Sequence, residues 1–334
     1  MTLAARLAPF IPLRLVAAAA RLVYPRFEPE LARLPELCPP DCGTAVDVGG
    51  WYGPWTRRLS DRAHRVVTVE PVPHLARLLT DATPGNVRVI RAAASDQQGT
   101  ARLWLPPGDQ GDRGVSSLIR RDIHARALDV PCVTLDSLDL HDVGFIKIDV
   151  DGNELAVLNG ATTLLTRDRP ALFIELEARI QPIAPVVSHL AQHGYEGWVL
   201  PGDTWLPLSS FDLEAHQARA SHVVSQGLLR RVLPFRGNGY IRYVNSVLFL
   251  PDGRRPGERL VRDERSVPDD PSVRDDRSVR NDGSVRDDGT RVREDGTHAR
   301  REATHPPLHP ARLPARPAAP YGRPQSGPGR GSPS

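Results

Sequence analysis

The strongest constraint on this chain is a rhythm between residues 43 and 250. Short apolar runs, followed by glycine or a carboxylate, are separated by amphipathic stretches. Ala45–Val48 runs into Gly49-Gly50, and Arg65–Val69 into Glu70-Pro71. Val87–Ala93, Gly144–Ile148 and Ala171–Leu176 continue the series. Trp55–Asp61, Val72–Asp81, Glu154–Leu165 and Ala184–His193 read as the helices that go with them. Near-continuous apolar strands that alternate with helices belong in a parallel sheet covered on both faces. The expected fold is therefore α/β, a doubly wound Rossmann-like sheet. Such a sheet binds ligands beyond the carboxyl ends of its strands, so the chemistry should lie just after each run.

The flanks differ in character. Residues 1–42 are expected to be a Pro-punctuated helical extension. Residues 251–334 read as a disordered, low-complexity tail. The tail repeats a hexad, as in Ser272-Val273-Arg274-Asp275-Asp276 and Ser278-Val279-Arg280-Asn281-Asp282, with one valine as the apolar side chain of each unit. That cannot bury enough surface to offset chain entropy. At the other end, Arg14 and Arg21 interrupt what would be the core of a signal peptide. No apolar run reaches the ~18 residues of a membrane span. A cytoplasmic protein is expected, with the first helix packed on the domain and weak peripheral membrane contact as the alternative. The net charge of +3 asks for no nucleic-acid partner. Three cysteines in a chain this large do not suggest a disulfide framework, and Cys38 and Cys42 lack a second pair at zinc-ligand spacing. Lys147 is the sole lysine, in a chain where arginine is otherwise the cation.

The first turn reads Val46-Asp47-Val48-Gly49-Gly50-Trp51-Tyr52-Gly53-Pro54. Its glycines let the backbone turn tightly and approach a ligand. A dinucleotide would need glycine at position 48, which is Val48. S-Adenosylmethionine carries an amino-acid end instead of a phosphate, and Asp47 stands where an acid suits that end. Gly49, Gly50, Trp51 and Gly53 complete this candidate cofactor turn. Glu70, at the end of the second run, can accept hydrogen bonds from ribose hydroxyls. Ser95 and Asp96, after the third run, are candidates for the adenine, or else a turn pair before Gly99.

Together these motifs resemble the FkbM-type methyltransferases. The likeness rests on Asp47-Val48-Gly49-x-x-x-Gly53, Val69-Glu70-Pro71 and Ala93-x-Ser95-Asp96-x-x-Gly99. It continues through Val133-Thr134-Leu135-Asp136-Ser137-Leu138, Phe145-Ile146-Lys147-Ile148-Asp149-Val150-Asp151-Gly152-x-Glu154 and Val157-Leu158-x-Gly160-Ala161. Pro170 to Glu175 and Asn245 to Leu250 suit the family's last two strands. The resemblance covers about residues 43–250. It implies a class I methyltransferase domain, an antiparallel last strand, S-adenosylmethionine as cofactor, and O-methylation of sugars, glycans or natural products. Three positions depart from the family: Trp51 replaces its usual asparagine, Gly50 its alanine, and Asp151 its glutamate. A tryptophan here can stack near a sulfonium or simply change the packing.

Methyl transfer needs the acceptor aligned with the methyl, worth roughly 7–11 kcal/mol, and a base for the hydroxyl proton. Alternate residues of a strand share a face, so Lys147 and Asp149 can touch while Ile146 and Ile148 point away. Asp149 is the expected acid nearest the acceptor. Lys147 holds it ionised, or serves as base if burial lowers its pKa. Glu154 is the third catalytic candidate. Asp151 and Glu154 equally suit an N-cap and capping-box pair. No metal is expected, the alternative being a divalent site of Asp149, Asp151 and Glu154. His124, in a stretch Asp109–Asp129 that reads as a mobile lid, is an outside candidate for the base. Ser116 and Ser117 there either contact substrate or form a turn. Trp198, Trp205 and Tyr195 read as core or rim.

Two other classes remain open at this level. One is an NAD-dependent oxidoreductase on a similar sheet, against which stand Val48 and the absence of a tyrosine four residues before Lys147. The other is a non-catalytic S-adenosylmethionine-binding or interaction protein in which Trp51 has spoiled catalysis. The acceptor, a small molecule or glycan, is not identified by the sequence, and neither is the oligomeric state.

Overall fold

The structure is a computed structural model that describes residues 13–24, 28–38, 40, 42–107, 114–224 and 242–258, all within the compact unit Met1–Ser266. Helix α1 (Leu13–Val23), a 3-10 turn (Pro29–Arg33) and the short α2 (Leu34–Leu37) lead to β1 (Thr44–Val48). There follow α3 (Pro54–Ser60), β2 (Arg65–Val69), α4 (Pro73–Ala82) and β3 (Val87–Ile90). After a small separate sheet come β7 (Val143–Ile148), α5 (Glu154–Asn159), α6 (Thr162–Arg167) and β8 (Ala171–Glu175). The domain finishes with α7 (Ala184–Gln192), β9 (Tyr195–Val199), β10 (Leu206–Pro207), α8 (Leu213–Val224) and β11 (Ser246–Pro251).

The main sheet has the order β10-β9-β11-β8-β7-β1-β2-β3. From β8 to β3 every pairing is parallel, and β11 runs antiparallel between β8 and β9. The expected doubly wound sheet with an antiparallel last strand is what forms. Successive residues alternate between two cores. Val46, Val48, Ile146, Ile148, Leu172 and Ile174 pack on one face. Ala45, Phe145, Phe173 and Leu248 pack on the other, against Trp55 and Leu59 of α3. Trp55, fully buried, stacks on Phe145 at 6.1 Å and tilts onto Phe173 at 5.0 Å. Strand order reverses between β1 and β7, and a doubly wound sheet opens its ligand crevice at such a point.

Three expectations change. The third apolar run splits into β3 and a two-residue strand, β4 (Ala93–Ala94). The latter joins β5 (Gly99–Leu105) and β6 (Arg126–Val133) in the separate sheet, ordered β4-β6-β5. The end of the supposed lid is thus strand, paired with β5 from Leu105↔Arg126 to Gly99↔Cys132. The helix expected over Glu154–Leu165 breaks at Gly160, where a Cβ would lie 2.1 Å from the Ser95 carbonyl. The second helix then starts afresh, because the Asp136 carboxylate accepts the Thr163 and Leu164 amides at 2.9 and 3.0 Å.

The flanks also acquire detail. Ala17 is buried beside Tyr52 and Leu75, and Arg21 Nε donates to the Tyr52 carbonyl at 3.0 Å. The first helix therefore packs on the domain, although Leu15 and Leu22 stay exposed. Among the described residues no helix is long and apolar enough to cross a membrane. Strand β11 runs through Pro251, paired with Tyr195, one residue into the expected tail. Asp252 N–H then bonds to the Gly194 carbonyl at 2.8 Å. The disorder expected of the tail concerns residues 259–334, outside those described.

Candidate active site

The strand tips gather carboxylates around one ammonium. Asp47 and Lys147 are register partners on β1 and β7. Lys147 Nζ donates to Asp149 Oδ2 at 2.9 Å, as their shared strand face requires. Lys147 is 3% exposed and Asp149 26%, so Asp149 is the member of the pair open to the crevice. Burial opposes the ammonium's charge, but Asp149, Glu28, Asp47 and Glu175 outweigh it and hold the Lys147 pKa above the ordinary lysine range. A lysine held that way stays a cation beside Asp149.

Asp47 is buried in the glycine turn. Its Oδ2 accepts the Thr56 hydroxyl at 2.5 Å. Its Oδ1 is buried with no hydrogen-bond partner among the described residues. Burial raises the Asp47 carboxyl, against the pull of Lys147 and Thr56. Gly49 has φ +86°, and a Cβ there would meet the Asp149 carbonyl at 2.0 Å. Glycine is thus what lets the first turn lie against the end of β7. Gly50 carries no Cβ where one would collide with Thr68 at 2.3 Å, and Gly53, at φ +79°, precedes Pro54 at the start of α3.

Glu70 closes the same turn onto β2. Its Oε2 accepts the Trp51 amide and its Oε1 the Val72 amide, both at 2.8 Å. Burial raises its pKa to about 7 despite these two bonds, with Asp47 and Asp149 adding to the rise. Each oxygen keeps a lone pair for a further donor. Trp51 takes a left-handed φ of 47°. Its ring lies 5.8 Å from Tyr24 and 4.8 Å from Tyr52, and its indole nitrogen is 3.4 Å from where a Gly114 Cβ would sit. Ser95 and Asp96 border a cavity of about 400 Å³ that also reaches Cys132, Asn153 and Leu118. The Ser95 hydroxyl donates to Asp96 at 3.2 Å and accepts from Asn153 at 3.3 Å.

Other candidates make contacts that hold the surrounding turns. Glu154 accepts the Val150 amide at 3.3 Å and the Gly152 amide at 3.1 Å, and Gln181 donates to its other oxygen. It ties the turn together and lines a small cavity with Asp149 and Glu175. The N-cap position of α5 belongs to Asn153, not to Asp151. Asp151, at φ 59°, pairs instead with Arg121 at 2.9 Å. Burial lifts the Asp151 carboxyl to about 7, with Arg121 pulling the other way. Among the described residues no group of three or more His, Cys, Asp or Glu is placed to hold a metal, so the divalent alternative gains no support. His124 is tied into its own loop. Its Nδ1 accepts the Arg121 amide and its Nε2 meets the Val115 carbonyl, both at 3.0 Å, which clips the loop together. Ser117 likewise donates to the Asp151 carbonyl and accepts the Ile119 amide. Tyr195 lies in the core, and Trp205 donates to Glu36 at 2.9 Å.

Sequence reasoning missed two contributors. Glu175 lies inside the run Ala171–Leu176 and is the last residue of β8, so a rule that looks just past each run overlooks it. Asn245 donates to it at 2.5 Å. Glu28 has no local signature. Its carboxylate accepts Trp55 Nε1 at 2.6 Å and the Ser246 hydroxyl at 3.3 Å, and burial raises it to about 7. Tyr24 hydrogen-bonds to Glu28 and feels Asp149 and Glu175, so the N-terminal segment reaches the strand tips.

The doubly wound sheet thus carries Asp47 near the end of β1 and Glu70 just after β2, with the glycine turn between them. Residues 41–196 match the model of the methyltransferase FkbM domain. No curated protein matches the chain. Methyltransferase FkbM from Methylobacillus flagellatus KT is similar in structure, with 19% identity and a TM-score of 0.35 over 47% of this chain and 39% of that one. The chain thus spans about two fifths of that protein's length. Precorrin-6y C5,15-methyltransferase from Geobacter metallireducens GS-15 is similar at 17% identity and a TM-score of 0.32, over 51% of this chain and 73% of that one. M. jannaschii TYW2, in complex with AdoMet, is similar at 13% identity and a TM-score of 0.32, over 66% and 74%.

Proposed function

We propose that residues 43–250 form an S-adenosylmethionine-dependent methyltransferase domain acting in the cytoplasm on a hydroxyl of a sugar, glycan or natural product. The observation that carries this reading is Asp47 Oδ1, a buried carboxylate oxygen without a partner among the described residues, beside the glycine turn. An unsatisfied buried acceptor is costly, and the α-ammonium of S-adenosylmethionine is a donor of the right charge. Glu70 would take the ribose hydroxyls through its remaining lone pairs. Ser95 and Asp96 would meet the adenine, and Gly49, Gly50, Trp51 and Gly53 would wrap the methionine end. The excess of carboxylates over ammonium at the strand tips also suits a cation.

When bound, the cofactor supplies an electrophilic methyl on a sulfonium, which leaves as a neutral thioether. Asp149 would accept the proton of the acceptor hydroxyl, being the member of the Lys147–Asp149 pair open to the crevice. Lys147 fixes the Asp149 carboxylate in place, while Glu154 holds the following turn. Calorimetric titration with S-adenosylmethionine and S-adenosylhomocysteine tests the binding half. Asp47→Ala and Glu70→Ala should each weaken affinity at least tenfold, and unchanged affinity in both would sink the assignment. Conversion of cofactor to S-adenosylhomocysteine across a panel of sugar and polyketide alcohols tests the transfer. Asp149→Asn should abolish turnover and spare binding.

A further inference from the structure

Cys38 and Cys42 stand outside this chemistry. Cys38 closes α2, its amide bonded to the Leu34 carbonyl at 2.8 Å, and Cys42 stands two residues before β1. Both are buried, and their sulfurs approach to 2.7 Å. That is well inside the ordinary contact of unbonded sulfurs and a small shift from the roughly 2.05 Å of a disulfide. The third cysteine, Cys132, lies on β6 in the separate sheet.

We propose that Cys38 and Cys42 are a dithiol–disulfide site, oxidised by a small-molecule disulfide of the glutathione class. The thiolate of one cysteine attacks a glutathione sulfur and releases one glutathione thiol. The second cysteine then displaces the other glutathione from the mixed disulfide. Two protein S–H bonds and one external S–S bond are exchanged for one protein S–S bond and two external S–H bonds. Two electrons pass to glutathione.

The bond would act on the segment that reaches the strand tips. Residues 28–38 hold Glu28 against Trp55 and Ser246, Glu30 against Arg242, and Glu36 against Trp205. Cys42 is fixed at the root of the sheet, where a Cβ on Gly144 of β7 would sit 2.3 Å from its carbonyl oxygen. Joining Cys38 to Cys42 therefore ties the segment to the start of β1. The mutual Cys38–Cys42 hydrogen bond and burial both raise the Cys38 thiol. Since the thiolate is the nucleophile, exchange is slow and goes through local opening.

The test uses the full chain and does not depend on methyl transfer. Protein incubated with glutathione disulfide is unfolded, treated with N-ethylmaleimide and digested with trypsin. The peptide 34–57 contains both cysteines and 127–147 contains Cys132. The expected result is an unlabelled 34–57 peptide lighter by two hydrogens, a labelled 127–147 peptide, and full reversal by dithiothreitol. The oxidised protein should melt roughly 4–8 °C above the reduced one, and Cys38→Ser and Cys42→Ser should each lose that shift. Labelling of both sulfurs in 34–57 after oxidation, a lasting single glutathione adduct, or a dimer linked through either cysteine would each overturn the proposal. The wild-type peptide readout stands even if the serine variants fail to fold.

Discussion

Replacing Lys147 by methionine keeps the stem and removes the one ammonium among Asp47, Asp149, Glu28 and Glu175. At 2.9 Å and an effective dielectric near 20, the Lys147–Asp149 attraction alone is about 6 kcal/mol before desolvation. Desolvation of the two ions offsets several kcal/mol of this, so the pair itself is a modest net stabiliser. Its loss is not modest, because it leaves buried carboxylates uncompensated, at a cost of about 3–5 kcal/mol. That is a large share of a stability of roughly 5–15 kcal/mol. The cost depends on pH. Glu28, Asp47 and Glu175 are already raised by burial, and Lys147 pulls each of them down. Without it they rise further. A carboxyl raised in the folded state gives its full stabilisation below its unfolded pKa and loses it as pH rises through the folded value. Urea unfolding of Lys147→Met should therefore show the full deficit at pH 8 and much of it regained at pH 5. Equal deficits at the two pH values, or no deficit at pH 8, would refute the argument that this lysine neutralises the strand tips.

Other substitutions probe single contacts. Gly49→Ala should destabilise by about 1–3 kcal/mol and weaken S-adenosylhomocysteine binding, since φ +86° and the Asp149 carbonyl both oppose a Cβ; calorimetry and thermal melts read the two effects. Trp55→Phe removes one donor from buried Glu28 and should cost about 1–3 kcal/mol at pH 8, measured by urea unfolding. Glu28→Gln should flatten the loss of stability between pH 5 and 8, because a carboxyl raised to about 7 costs the fold about 3 kcal/mol once ionised; a slope equal to wild type would contradict this. Arg121→Ala breaks the pair with Asp151 and should speed proteolysis within 114–125 while leaving global unfolding within about 1 kcal/mol of wild type.

How much was legible follows from the range of each interaction. The strands were readable because both faces are buried, so Val46, Ile146 and their neighbours leave an unbroken apolar run. Asp47, Glu70 and Asp149 were readable because a parallel sheet delivers its strand ends to one edge; Glu175 also ends a strand but sits inside its run. Position alone did not reveal partners. Asp151 and Glu154 have the spacing of a cap, but Arg121, some thirty residues earlier, claims the first, and Gln181 shares the second. Gly160 falls inside the helix expected over Glu154–Leu165, and only the distant Ser95 carbonyl shows why the residue must lack a Cβ. Glu28 was beyond reach, since its partners Trp55 and Ser246 lie 27 and 218 residues away and nothing in its own neighbourhood marks it. The strand tips thus combine two kinds of information: a local pattern that says where charge will gather, and long-range packing that decides which carboxylates are already satisfied. Asp47 Oδ1 is left over from that second step, and a leftover buried acceptor at the mouth of a parallel sheet is the most direct pointer to a cationic ligand.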